Sequence, residues 1–330
     1  MMKLSLMRDV FKTVNSDWDC ELAAKLVENW KHDENWVKMW RASANFICYF
    51  RNNGCNYVTR FNCDLERSLE NVESEIDLLL YLKSKNIQIA KPIPSNNSRF
   101  VEKTQTQLGT FYSSVFERIF GDQHDIDDLK SENFIIWGKS LGQLHKVFKE
   151  IPNEIEINRI SHEVLFEEKV KENPPIDSIE LKEIETIRKW FKTLKKNKNN
   201  YGLIHYDFEL DNVIWNDGGL YTIDFDDSIY SWYVADIAYA LRDLFNDGKE
   251  LKIDDERFLL FIEGYRKEND ISKEELKQMS DFYRLHHFIS YKKLQRAIDL
   301  CISDSNPGWM NDLIEKLKKI KNSYYKGFTN

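Results

Sequence analysis

Two short runs near the N-terminus are rich in the aromatic and β-branched residues that favour strands, and polar residues bound each run. They read N-F-I-C-Y-F from Asn45 and N-Y-V-T-R-F from Asn56, and the segment between them contains Asn53-Gly54. Because an Asn-Gly step accepts the positive φ angles of a tight turn, the pattern predicts a β-hairpin from Asn45 to Phe61.

The period of the apolar positions changes after this hairpin. Apolar residues from Val72 to Leu82 recur at helical spacing, which predicts a helix that ends near Lys85. The proline-punctuated segment 87–94 is expected to be extended, and segment 110–120 is a further strand candidate that Gly121 closes.

Helical patterns dominate beyond Gly121. A helix capped by Ser131 is predicted to run to about Lys149, and charged helical patterns fill Asp177 to Lys198, with four or five more helical segments before the C-terminus. The first of these helices has its apolar residues at Phe134, Trp137, Leu141, Leu144 and Phe148.

Strands in the first third and helices in the remainder predict a two-lobed α+β fold. We expect an N-terminal lobe of residues 1–119, with a small β-sheet and one main helix. The C-terminal lobe, residues 120–330, should be larger and mainly helical, and the hinge should lie near Glu117 to Gly121.

Charge, cysteine content and apolar runs argue against several classes of binding partner and site. The 330 residues carry a formal net charge of −8, which argues against nucleic acid and against an anionic membrane surface, since both favour basic proteins. The five cysteines contain no C-x-x-C pair and are odd in number, so neither a disulfide framework nor a zinc site is expected. Charged residues interrupt the first apolar run, and no stretch has the length of a membrane span, so we expect a cytoplasmic protein.

Two polar motifs carry the chemistry. The first, H-Y-D-F-E-L-D-N from His205, places the carboxylate of Asp207 five positions before the carboxamide of Asn212. The second, Y-T-I-D-F-D-D from Tyr221, places Asp224 at the end of a short β-rich run. A phosphoryl-transfer site needs a base for the acceptor hydroxyl and oxygen ligands for Mg²⁺. Asp207 suits the base, and Asn212 and Asp224 suit the metal.

The same residues have a simpler interpretation. Asp207 could be a solvated loop charge, Asn212 a cap or turn residue, and Asp224 the last residue of a strand. The occurrence of both motifs a dozen positions apart favours phosphoryl transfer over this alternative.

The two motifs resemble the catalytic loop and metal-binding segment of the protein-kinase-like fold, and specifically those of the aminoglycoside phosphotransferase and choline kinase family. The resemblance extends over most of the chain. It implies a nucleotide site made by the first hairpin, the main helix and the hinge strand V-F-E-R-I-F-G, and a loop braced by Asp236. The nucleotide-binding residues that it implies are Ser43, Asn45, Arg60, Glu75, Phe116, Glu117 and Ile119. Ser43 and Asn45 could instead only shape the turn into the strand.

Three departures separate this chain from relatives with the same motifs. Tyr206 stands where the family usually has a small residue, and Glu209 stands where protein kinases have a lysine. Few residues separate Asp227 from Asp236, and no A-P-E motif follows, which leaves no room for a protein-kinase activation segment. A small-molecule acceptor is therefore favoured.

The acceptor-binding residues are less defined. Asp226 and Asp227 could reach a second metal or the acceptor, or they could be solvated loop charges. Glu263 and His287 lie in late helical segments that line the acceptor site in the family, although an amphipathic core helix explains the segment 282–291 more simply.

We therefore expect a kinase that uses ATP, or GTP in its place, with Mg²⁺ to phosphorylate a hydroxyl of a small molecule. An aminoglycoside-like antibiotic is the first candidate acceptor. The alternatives are a choline, ethanolamine or homoserine type of metabolite kinase, a bacterial Ser/Thr protein kinase of the same family, and a non-catalytic nucleotide-binding module. The sequence does not indicate the oligomeric state.

Overall fold

The computed structural model describes residues 1–152, 154–299 and 306–329 of the chain. Four cysteines in these ranges are free thiols, three of them buried, and Cys301 lies outside the described residues.

The N-terminal part is built on a six-stranded antiparallel sheet. Strand β3 pairs with β2 on one side and with β6 on the other, β1 extends the sheet beyond β2, and β6 also pairs with β4 and β5. Two helices precede the sheet, and one long helix, α3, follows β3. The bounds of these elements are α1 (Leu4–Phe11), α2 (Glu21–Leu26), β1 (Val37–Ala42), β2 (Phe46–Asn52), β3 (Cys55–Cys63), α3 (Leu69–Ser84), β4 (Pro92–Ile93), β5 (Val101–Thr106) and β6 (Gly109–Glu117).

The predicted hairpin is present. Asn53 and Gly54 connect β2 to β3 with φ angles of 50° and 78°, the conformation that the Asn-Gly step predicts. The register pairs Ile47 with Arg60, which fixes the strand position of the arginine that the sequence assigns to phosphate.

The main helix is longer than its apolar pattern indicates. It begins after Ser68, whose side chain accepts a hydrogen bond from the backbone N–H of Asn71, and this cap adds a first turn before Val72. Glu75 lies on its fully buried face.

The C-terminal part is mainly helical and carries two small two-stranded sheets, in which β7 pairs with β10 and β8 with β9. Its helices are α4 (Ser131–Lys149), α5 (His162–Glu172), α6 (Ser178–Phe191), α7 (Tyr233–Ala240), α8 (Glu256–Arg266), α9 (Lys273–Leu276), α10 (Met279–Asp299) and α11 (Gly308–Gly327). Its strands are β7 (Tyr201–Ile204), β8 (Val213–Asn216), β9 (Gly219–Thr222) and β10 (Ile229–Trp232).

Glycines allow α4 and α8 to cross at backbone contact. A Cβ atom on Gly138 would lie 1.9 Å from the carbonyl oxygen of Phe261, and one on Gly264 would lie 2.0 Å from that of Ile135. Both distances are far inside van der Waals contact, so the crossing requires glycine at these positions.

Two hydrophobic clusters fill the part of the molecule that the structure describes. One joins α3 to the C-terminal helices. The other lies between α1, α2 and the sheet and includes Leu294, Met310 and Ile314 from α10 and α11. The C-terminal helices therefore pack against the N-terminal half as well as against their own half of the chain.

Some predicted bounds were wrong. The strand predicted over 110–120 ends at Glu117, and the helix predicted over Asp177 to Lys198 ends at Phe191. Ser131 is the first helical residue rather than the cap, because the chain is still extended at Lys130, whose N–H donates to the side chain of Asn133.

Candidate active site

The two motifs occupy adjacent turns of one small structure. The first follows β7, passes through a 3₁₀ turn from Leu210 to Asn212, and continues into β8. The second follows β9, whose pairing with β8 brings Ile223 to donate its N–H to the carbonyl of Asn212 at 3.0 Å. This backbone pairing brings Asp224 next to Asn212.

Asp207 and Asn212 contact each other directly. The side-chain amide of Asn212 donates to the carbonyl oxygen of Asp207 and to its carboxylate Oδ2, both at 2.9 Å. Because the amide nitrogen is used in this way, the Oδ1 oxygen of Asn212 remains as the atom that can ligate a cation.

Asp236 braces the loop that carries Asp207. Its buried carboxylate accepts hydrogen bonds from the backbone N–H groups of His205 and Tyr206, both at 2.8 Å, and it lies 2.9 Å from Nε2 of His145 on α4. His145 also contacts the hydroxyl of Tyr265 at 2.8 Å. The loop that carries Asp207 is therefore tied to the core of the helical half.

Tyr206 adopts a backbone conformation that favours glycine. Its φ angle is +74°, in the left-handed region, which explains why a small residue is usual at this position. The ring is buried and packs edge-on against His162 and Tyr239, with centroid distances of 5.5 and 5.3 Å. Burial raises the pKa of its hydroxyl to about 12. Tyr206 is thus a packed core residue whose neighbours hold a strained backbone.

Arg60 bridges the two halves of the site. Its guanidinium pairs with Glu75 on α3 and donates to Oδ1 of Asp224 at 3.0 Å. Burial alone would lower the pKa of Arg60, but Glu75, Asp226 and Asp224 together raise it, so it stays charged. Burial raises the pKa of Asp224 to about 7, against the opposing effect of Arg60.

Asp226 and Asp227 are held by cations that the sequence did not single out. Arg67 lies 2.5 Å from Asp226 and 2.7 Å from Asp227, and Lys293 on α10 lies 3.1 Å from Asp227. Asn45 also donates to Asp226 at 2.9 Å. Burial would raise the pKa of Asp227, but Lys293 and Arg67 hold it well below its usual range.

These residues surround a cleft between the two halves, with a volume of about 240 Å³. The cleft brings together twelve of the fourteen residues that the sequence proposes. They are Ser43, Asn45, Arg60, Glu75, Phe116, Glu117, Ile119, Asp207, Asn212, Asp224, Asp226 and Asp227.

Glu263 and His287 do not line this cleft. Glu263 is exposed and pairs with Lys267 one turn along its own helix, at 3.1 Å. His287 lies 3.0 Å from Asp247. Their selection as acceptor-binding residues from helical position alone is not supported by this geometry.

The sequence also missed residues that form the cleft or its support. Trp40 and Tyr49 line it, and the guanidinium of Arg118 stacks 4.0 Å from the ring centre of Tyr49. Glu209 pairs with Arg242, and burial raises the pKa of Glu209 to about 8. The aromatic strand pattern around Tyr49 was visible in the sequence, whereas no local signal marks Arg242.

The oxygen donors of Asp224 and Asn212 suit a cation whose remaining ligands would be phosphate oxygens. Asp224 supplies carboxylate oxygens and Asn212 an amide oxygen, as Mg²⁺ prefers. Among the described residues, no group of three or more His, Cys, Asp or Glu side chains is arranged to hold a metal by itself. In the part of the chain that the structure describes, no helix has the length and apolar character needed to cross a membrane.

The fold and the cleft are those of a phosphotransferase. The chain belongs to the phosphotransferase enzyme family (APH), whose model matches residues 43–268. This result confirms the predicted class of enzyme and the predicted protein-kinase-like fold.

Three individual proteins resemble this chain in sequence or in structure. The chain is similar to amicoumacin kinase of Bacillus subtilis (strain 168), with 26% identity over 305 residues that cover 89% of this chain and 90% of the relative. Its structure is similar to amicoumacin kinase hAmiN in complex with AMP-PNP, Ca²⁺ and Ami, with a TM-score of 0.74 and 23% identity over 96% of both chains. It also resembles a microcompartment-associated aminopropanol kinase, with a TM-score of 0.65 and 16% identity over 94% of this chain and 95% of that one.

Proposed function

We propose that this protein transfers the γ-phosphoryl group of ATP, with Mg²⁺, to a hydroxyl group of a small antibiotic. The observation that carries the proposal is the convergence of Asp207, Asn212 and Asp224 on one wall of a cleft whose other wall carries Arg60. Phosphoryl transfer depends on positioning and on charge neutralisation, and this arrangement supplies groups for both.

Each side chain has a distinct role in the proposal. Asp207 orients the acceptor hydroxyl and accepts its proton. Asn212 and Asp224 hold the metal, which neutralises charge on the phosphate oxygens, and Arg60, kept in place by Glu75, contacts phosphate.

The remaining cleft residues hold the nucleotide. The backbone of Phe116 to Ile119 would meet the base, with ATP preferred and GTP as the alternative. Ser43 and Asn45 lie beside the phosphates, although Asn45 also bonds Asp226. We assign residues 1–119 to nucleotide binding and residues 120–330 to catalysis and acceptor binding, and we place the enzyme in the cytoplasm, where ATP and Mg²⁺ are plentiful.

The amicoumacin kinase of Bacillus subtilis, similar over nearly the whole of both chains, supports an antibiotic as the acceptor. The second motif ends at Asp227, β10 begins at Ile229 and α7 begins at Tyr233. No long activation segment therefore lies between the second motif and α7. That connection argues against a regulated protein kinase. The intact Asp207, Asn212 and Asp224 argue against a non-catalytic module.

The test is release of ADP by the purified protein with Mg²⁺ and amicoumacin, aminoglycosides, amino alcohols or homoserine. We expect Asp207→Asn to lower kcat by about 10²- to 10⁴-fold, the range for general-base catalysis, with little change in the KM for nucleotide. The matched control is Asp217→Asn, at an exposed position between β8 and β9. Full activity of Asp207→Asn would remove Asp207 as the base.

A further inference from the structure

The edge strand of the N-terminal sheet contains a β-bulge beside the nucleotide cleft. Strand β1 pairs with β2 in regular register up to Met39, which faces Cys48, and the next pair joins Arg41 to Ile47. Trp40 is therefore the extra residue of the bulge. A bulge bends its strand and changes the direction of a side chain, and bulges are frequent next to active sites.

The bulge brings two residues to the mouth of the cleft. Trp40 and Arg41 both line it, and Nη2 of Arg41 lies 3.5 Å from the carboxylate of Asp211, which belongs to the first motif on the opposite wall. The side chain of Trp40 is 65% exposed, so its indole is open to a ligand. An exposed aromatic residue is not unusual by itself, but this one lies where a bound nucleotide would pass.

The register of the sheet orders the cleft from its phosphate end to its base end. Ile47 pairs with Arg60, the residue that we propose to contact phosphate. Two positions further along β2, Tyr49 pairs with Val58, and Val58 pairs with Phe116. All five residues line the cleft. Two strand residues span about 7 Å, so this second row is displaced from Arg60 toward the segment that would meet the base.

Aromatic and cationic side chains extend this second row to the edge of the cleft. The ring centre of Trp40 lies 5.1 Å from that of Tyr49. The guanidinium of Arg118, which follows β6, lies 4.0 Å from the ring centre of Tyr49 and 5.0 Å from that of Phe120. Tyr49 and Arg118 are half-buried, so Trp40 has the most accessible surface of the three that line the cleft.

We propose that Trp40 contacts the nucleoside of the bound nucleotide, with its indole stacked on the base. An indole offers a large flat apolar face, and stacking of a base on an aromatic ring strengthens binding by about 5- to 150-fold. Tyr49 and Arg118 support the indole from the side of the sheet. This inference rests on the proposed function, because it assumes that the cleft binds a nucleotide.

The test measures binding of AMP-PNP with Mg²⁺ to the full chain, by competition with a fluorescent nucleotide. We expect Trp40→Ala to raise the Kd about fivefold or more, because the stacking surface is lost. Trp40→Phe keeps an aromatic ring and should retain most of the affinity. A Kd for Trp40→Ala equal to that of the wild type would overturn the proposal.

Tripolyphosphate with Mg²⁺, which has no nucleoside, separates a contact with the base from a distortion of the sheet. Its Kd should be the same for the wild type and for Trp40→Ala, since the phosphate end of the cleft is formed by Arg60 and the residues of the two motifs. Equal weakening of AMP-PNP and of tripolyphosphate would show a structural effect and refute the contact.

Trp40 also gives an optical signal of its own. The chain has nine tryptophans, so the difference between the wild type and Trp40→Phe isolates the emission of this one. Addition of AMP-PNP with Mg²⁺ should change the emission of the wild type, and part of this change should be absent in Trp40→Phe. The same nucleotide-dependent change in both proteins would contradict stacking on Trp40.

Trp36→Ala is the matched control. Trp36 is also exposed and lies four positions earlier, where the guanidinium of Arg51 is 3.7 Å from its ring centre, but it does not line the cleft. This variant should bind AMP-PNP as the wild type does. A wild-type protein that binds no nucleotide with Mg²⁺ would contradict the proposed function, whereas normal binding by both the wild type and Trp40→Ala would remove only the role of Trp40.

Discussion

Asp236 offers the most direct test of how the catalytic loop is held. Replacement by alanine would leave the N–H groups of His205 and Tyr206, and Nε2 of His145, without the acceptor that they share. Each unsatisfied buried group costs about 1–3 kcal/mol. Since the contributions of the three groups overlap, we expect Asp236→Ala to lower the free energy of unfolding by about 3–5 kcal/mol.

Activity should fall with stability, because the same hydrogen bonds hold the left-handed conformation of Tyr206. That conformation costs about 1–2 kcal/mol for a residue other than glycine. The backbone of Tyr206 should therefore leave the left-handed region once these hydrogen bonds are lost. Urea unfolding followed by circular dichroism gives the free energy of unfolding. The value of kcat, measured at a temperature where the variant is folded, reports whether the loop keeps its active conformation. Asp254→Ala, at an exposed position, is the control. A loss below about 1 kcal/mol with unchanged kcat would refute the assigned role of Asp236.

Two further predictions concern the helix crossing and the metal site. Gly138→Ala should destabilise the protein by about 3 kcal/mol and lower Tm by several degrees, because its Cβ would overlap the carbonyl of Phe261. Gly308→Ala, with nothing within 4 Å of the added Cβ, should be neutral in the same calorimetric scan. Since the pKa of Asp224 is raised to about 7 and only its ionised form ligates a cation, Mg²⁺-dependent nucleotide binding should weaken as pH falls below 7 and change little above 8. Titration of a fluorescent nucleotide from pH 5.5 to 8.5 measures this, and a pH-independent Mg²⁺ requirement would contradict it.

The residues that we propose for catalysis and metal binding could be singled out because they are local in sequence. Asp207, Asn212 and Asp224 fall in two short motifs, and a single hairpin between β8 and β9 brings them together. The hydrogen bond of Arg60 to Asp224 joins residues that are 164 positions apart. The resemblance to a known family indicated a phosphate-binding role for Arg60, but not this contact.

Charged residues on helices are the positions where the sequence was least informative about location. Glu263 was selected from a helix whose neighbouring residues Ile262 and Gly264 are buried, yet successive helical residues differ by about 100° in direction, and its own side chain points outward. Conversely, Arg67 and Lys293 have the sequence character of solvated residues. Their partners lie far away in the chain, so no local pattern distinguishes them.

The glycine crossing of α4 and α8 has a consequence beyond stability. Gly138 and His145 lie on the same helix, seven residues and thus about 10 Å apart along its axis, and His145 contacts the carboxylate that holds the catalytic loop. A small displacement of α4 at the crossing would therefore move that carboxylate, since a helix transmits a shift along its length. Turnover can in this way be tuned by substitutions that touch neither nucleotide nor acceptor, at a contact where two backbones meet.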